Sequence, residues 1–113
     1  MKAADILSLS DLRTKQVHVP RWGMDVTIRE LTLEEGVQLS RLYGRVSKEG
    51  DSVTLHAEDV AKVVAWGVVD ESGERVFSDD DVPALARKNR DALMLLFREI
   101  TALAADAEDA EGN

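Results

Sequence analysis

Between Gln16 and Arg29, apolar and polar residues alternate on both sides of a Pro-Arg-Trp-Gly tetrapeptide, and this period of two leaves few local structures open. Val17 and Val19 project to one side of a strand, Gln16 and His18 to the other. After the tetrapeptide, Met24, Val26 and Ile28 share a face and Asp25, Thr27 and Arg29 share the opposite one. Strands with one apolar face pair antiparallel over a core and leave the other face to solvent. Pro20 cannot donate to a ladder and belongs at the strand end. Gly23 can take the positive φ that a tight reversal needs. A half-buried β-hairpin is expected, with Trp22 at its turn.

Beyond the hairpin the period lengthens. Thr32 and Glu35 have the spacing of a capping box, in which the hydroxyl takes an orphan amide and the carboxylate reaches back to the cap residue. The helix expected from there carries Leu39, Leu42, Tyr43 and Val46 on one stripe, with Gln38, Arg41 and Arg45 away from it, and ends in the polar stretch 47–52. Residues 57–69, "AEDVAKVVAWGVV", place Val60, Val63, Val64, Gly67 and Val68 on one helical face. Their β-branched content makes strand a competitor, but length and the opening acids favour helix. "DESGERVF" reads as a turn with an extended exit. Ser78 and Asp81 then mark another helix start, with Asp79 to Asp81 suited to its positive end and Pro83 tolerable in the first turn. Asn89 caps the clearest helix, Arg90 to Ala105, whose stripe is Leu93, Leu96, Phe97, Ile100, Leu103 and Ala104. Residues 5–12 suggest a helical turn with Leu7, Leu9 and Leu12 as contacts.

These elements give an α+β fold, mostly helical, with an N-terminal β-hairpin packed against three or four α-helices. A chain of 113 residues suits a single core, so residues 1–105 are expected to form one domain. The remainder, 106–113, holds four acids and no base, and its removal would change the net charge from −8 to −4. Such a segment is expected to be a disordered acidic tail.

Composition narrows the chemistry. With 22 acids against 14 bases and no basic stripe, nucleic acid is not an expected partner. The absence of cysteine excludes disulfides, thiolate catalysis and Cys-ligated zinc, and fits a reducing compartment. No signal peptide is read at the start and no apolar run spans a membrane. His18 on the outward strand face and His56 before a helix belong to no recognisable catalytic constellation. The acids from Asp70 to Asp81 fail the calcium-loop pattern, with Ser72 third, Gly73 fourth and Glu74 fifth. No enzyme activity, cofactor or metal is expected.

Three apolar residues lack an obvious internal partner. At about 100° per residue, Trp66 lies about 140° from the centre of its helix's valine stripe. Leu95 lies opposite the stripe of the last helix, and Trp22 sits in the hairpin turn. Each can be covered by another element or offered outward. Trp22, Trp66 and Leu95 are accordingly the expected partner-binding residues.

Two stretches resemble the phage tail assembly chaperones of long-tailed phages. "VHVPRWGMDVTIREL" is similar to that family's early hairpin, through Val17, Val19, Pro20, Trp22, Gly23 and Arg29, and "VVDESGERVFSDDDV" to its mid-chain acidic turn before a helix. The resemblance spans roughly residues 5–104. It implies a non-enzymatic protein of the host cell cytoplasm that binds the tape measure protein, recruits tail tube (major tail) subunits around it and is absent from the mature virion; self-association is a further partner expectation for this chain. The alternatives left open are a head-to-tail connector or minor tail component that stays in the particle, and a small bacterial regulatory interaction module.

Overall fold

The hairpin forms from Thr14–Val19 (β1) and Met24–Arg29 (β2), with Val17 opposite Val26 and Val19 opposite Met24. The structure is a computed structural model that describes residues 1–48 and 56–111, with side chains for 1–42 and 56–103. Gly23 takes φ +63°, and the amides of Trp22 and Gly23 both donate to the Val19 carbonyl, at 3.1 and 2.9 Å. Residues directly opposite in an antiparallel pair share a face, so Val17, Val19, Val26 and Ile28 meet on one side and are buried. On the other side His18 and Asp25 face each other across the strands at 2.8 Å, both exposed.

A third strand extends this sheet. The third element is helical only over Ala57–Gly67 (α3), and Val68–Val69 (β3) instead pair antiparallel with β2, opposite Ile28 and Thr27. Val68 therefore belongs to the sheet and not to the helical stripe on which the spacing placed it. Two β-branched residues after a glycine gain ladder hydrogen bonds along the free edge of β2 that one more helical turn would not supply. A tight turn follows in which the Asp70 carboxylate accepts from the amides of Ser72 and Glu74 and from the Ser72 hydroxyl. Gly73 completes the turn at φ +89°. Arg75, emerging from it, donates to the Ala65 carbonyl in the last turn of α3 and so supplies the cation that this helix end lacks.

Leu33–Lys48 (α2) begins at the anticipated capping box: the Thr32 amide donates to Glu35 Oε1 at 2.9 Å and the Glu35 amide to Thr32 Oγ1 at 3.2 Å. Of its expected stripe, Leu39 packs against the core and Leu42 is half-buried. The side chains of Tyr43 and Val46, and the loop from Glu49 on, lie outside the described residues. The Ser78 start leads through a 3₁₀ turn, Asp79–Asp81, into a four-residue helix, Val82–Leu85, with Pro83 in its first turn. The last helix, Arg90–Glu111, is capped by Asn89, whose Oδ1 accepts from the Ala92 amide. Its backbone is helical for six residues beyond Ala105, over part of the segment anticipated as a disordered tail. Alanine and glutamate are good helix formers, which counters the adverse placement of acids at a C-terminus. The short helices are named α1 (Ala3–Leu7) and α4 (Val82–Leu85), and the long last one α5.

The core lies between the inner face of the sheet and the pair α3 and α5. Val19, Ile28, Val63, Val64, Leu96 and Ile100 are its most deeply buried members. The two helices approach so closely that a Cβ built on Gly67 would stand 2.5 Å from Ile100 Cδ1. The N-terminal segment departs from expectation. Ile6, Leu7 and Leu9 are 54%, 82% and 62% exposed, and only Leu12 of the proposed contacts is half-buried. A five-residue helix buries too little to dock by itself. This segment is held instead at its far end, where Arg13 exchanges backbone and side-chain hydrogen bonds with Glu30.

Candidate functional site

The three residues singled out from the sequence end up in three separate surface grooves. Trp66 is 5% exposed and is a member of the core. Its assignment to a face turned away from the interior is therefore corrected. Of the two outcomes left open for it, cover by another element is the one the fold realises: α2 packs against α3 on the side of the indole. What the tryptophan still presents is the floor of a groove between α2 and α3, with Leu33, Val37, Gln38 and Leu42 along one wall and Lys62 on the other. Arg41 and Glu34 complete the lining.

Trp22 is half-buried and packs against the edge of the core, so its ring is not wholly offered outward. It lines a second depression, over the outer face of the sheet, with Met24, Val76 and Phe77 among its neighbours. Leu95 is also half-buried. It borders a third depression with Val19, Pro20, Arg21, Asp91 and Ala92, where α5 passes the hairpin turn. The fold thus gives each residue some internal packing and does not gather them on one patch.

Beside the Trp22 depression Met24 and Val76 are about half exposed, and a second exposed apolar pair lies on α2. Leu33 is 86% exposed and Val37 43%, one helical turn apart on α2 and both on the groove above Trp66. Neither was singled out in the sequence, although Leu33 lies four residues before Val37 and outside the Leu39/Leu42 stripe. That i, i+4 apolar pair, off the main stripe, is the signal that could have found them.

A buried ion pair ties the start of α2 to the end of β2. Arg29 at the end of β2 and Glu35 in the first turn of α2 join through Nη1–Oε1 and Nη2–Oε2 bonds, each 2.9 Å. Burial pushes the Glu35 carboxyl up, but the bonds from Arg29 and Thr32 together with the Arg29 charge outweigh it and hold the group below its ordinary range. Asp70 is also held low, first by the Ser72 hydroxyl and then by the turn amides. Those partners are all within its own turn, so its role is structural. Among the described residues no group of His, Asp and Glu side chains could hold a metal ion, no buried side-chain polar atom lacks a hydrogen bond, and no helix is long and apolar enough to cross a membrane. The arrangement is suited to binding another protein through apolar contact.

Comparison with known proteins agrees with that character. No protein of curated function matches the sequence. The structure is similar to that of the bacteriophage HK97 tail assembly chaperone, with a TM-score of 0.57 at 22% identity over 85% of each chain, which shows a shared fold. The profile of the family described as phage tail assembly chaperone matches residues 2–113, nearly the whole chain. The protein belongs to the phage tail assembly chaperone family, which is not a known enzyme family.

Proposed function

We propose that this chaperone binds the tape measure protein during tail morphogenesis in the host cytoplasm, recruits tail tube subunits around it, and is absent from the finished virion. The observation that carries the reading is the exposed pair Leu33 and Val37 above Trp66 on a molecule of net charge −8. A long, largely helical tape measure exposes apolar stripes that aggregate. Many copies of a small acidic protein, each with a modest apolar groove, mask such stripes through weak repeated contacts and are displaced later. Trp66 takes part as the floor of that groove, while Trp22 and Leu95 serve as separate contacts for tube subunits. Residues 1–105 act as one binding unit and 106–113 as an appendage.

Co-expression of the chaperone with its cognate tape measure protein tests this. The tape measure is expected to be soluble with the chaperone and aggregated without it. A tape measure that stays insoluble beside well-expressed chaperone contradicts the reading. Mass spectrometry of purified virions checks the second part, since a chaperone found there in stoichiometric amount would be a component of the particle.

A further inference from the structure

The groove between α2 and α3 has a chemistry that specifies its occupant more closely. Its apolar part, formed by Leu33, Val37, Leu42 and Trp66, runs along α2 for nine residue steps, about 14 Å at about 1.5 Å per residue. Its charged rim carries two cations, Arg41 and Lys62, against the one acid Glu34. On a chain with 22 acids and 14 bases this local excess of positive charge runs against the whole. Both cations are exposed, and neither forms an ion pair among the described residues.

Both walls are helices whose backbone groups are bonded internally, so the groove offers no free edge to which a strand can add. An occupant lying on this apolar floor must satisfy its own amides and carbonyls. A helix does so, and about two and a half turns fit the length. We infer that the α2–α3 groove seats an amphipathic helix of a partner chain whose apolar stripe is flanked by Asp or Glu, the acids lying against Arg41 and Lys62. This rests on the proposed function for its source, a helical segment of the tape measure protein.

The test uses the full chain and two synthetic helical peptides with the same leucine stripe, one flanked by glutamate and one by lysine. Titration is followed by NMR, through the Trp66 indole and the Leu33 and Val37 methyl resonances. The glutamate peptide is expected to bind at least about tenfold more tightly than the lysine peptide and to move those resonances. Joint Arg41→Glu and Lys62→Glu substitution is expected to invert the preference. Leu33→Asp, at a largely exposed site where an acid suits the helix start, is expected to weaken binding by about tenfold with the fold intact. Equal affinity for both peptides overturns the inference, as does a response confined to Trp22 or Leu95. A concentration-dependent dimer that protects Leu33 and Val37 without peptide also overturns it, because a second copy then fills the groove. Co-expression separates the two readings. If wild type solubilises the tape measure and Leu33→Asp does so equally well, the groove assignment fails and the chaperone function stands. If wild type fails as well, the function fails and the peptide titration alone judges the groove.

Discussion

Arg29 and Glu35 are joined by two bonds of 2.9 Å each, with side chains only 8% and 13% exposed, and the same carboxylate closes the capping box of α2. One glutamate therefore links the end of the sheet to the helix that forms one wall of the groove. Glu35→Ala leaves the guanidinium buried with, among the described residues, only the Glu30 carbonyl as hydrogen-bond partner, and removes half of the cap. A loss of about 3 kcal/mol is expected in urea unfolding, typical of breaking one side of a buried pair. A loss below about 0.5 kcal/mol would show that α2 is held by other contacts.

The same pair sets an acid limit. Because Glu35 titrates below its ordinary value of 4.5 in the folded protein, its contribution is complete above that value and is lost as pH falls through the lowered folded value. Melting temperature is expected to fall on acidification in that window. In Glu35→Gln, which is already weaker at neutral pH, the fall is smaller. Parallel pH profiles for the two proteins would remove Glu35 from the explanation.

Trp66 and Trp22 differ in depth, and their alanine variants are expected to differ accordingly. Trp66→Ala empties a core site and is expected to cost about 3–5 kcal/mol. Trp22→Ala removes a half-buried ring at the turn and is expected to cost about 1 kcal/mol. Denaturant midpoints decide this, and equal losses contradict the burial assigned here. A charged residue at Trp66 is expected to prevent folding, so partner binding at the groove is better tested through Leu33 and Val37.

At the contact of α3 with α5, Gly67→Ala drives a methyl group into Ile100, with Cδ1 at 2.5 Å and Cγ1 at 2.8 Å from the new Cβ. Overpacking of this kind is expected to cost about 1–3 kcal/mol, despite alanine's better helix propensity. Ile100→Val removes Cδ1. In that background the same substitution is expected to cost measurably less, which a double-mutant cycle reads directly.

Deletion of residues 106–113 is expected to shift the melting temperature by no more than about 2 °C. The last turn of α5 contains no basic residue, so its acids oppose the helix dipole and contribute little to holding the helix end. A drop of several degrees in a thermal scan would show that this segment packs on the domain.

What could be read from the sequence was local. Alternation around Pro20–Gly23, the Thr32–Glu35 and Ser78–Asp81 boxes and the Asn89 cap each involve residues within a few positions of one another, and hydrogen bonding at those spacings is nearly independent of the rest of the chain. The stripe of α5 from Leu93 to Leu103 is legible for the same reason, because 3.6-residue periodicity reports one continuous buried face, and the side chain of Ala104 lies outside the described residues. Tertiary structure decided the rest. Val68 and Val69 leave the helix because β2 has a free edge beside them, and no local propensity records that edge. Arg29 alternates like an outward strand residue, yet it is buried because α2 brings Glu35 over it. Trp66 was placed on the wrong side by a wheel that shows one helix at a time, and α2, arriving after a chain reversal, turned that outer side into an interior. Leu33 and Val37 were left exposed by the same packing event. A period tells which side chains share a face, but which faces are covered depends on how separate elements meet, and that is settled by contacts between residues far apart in the chain.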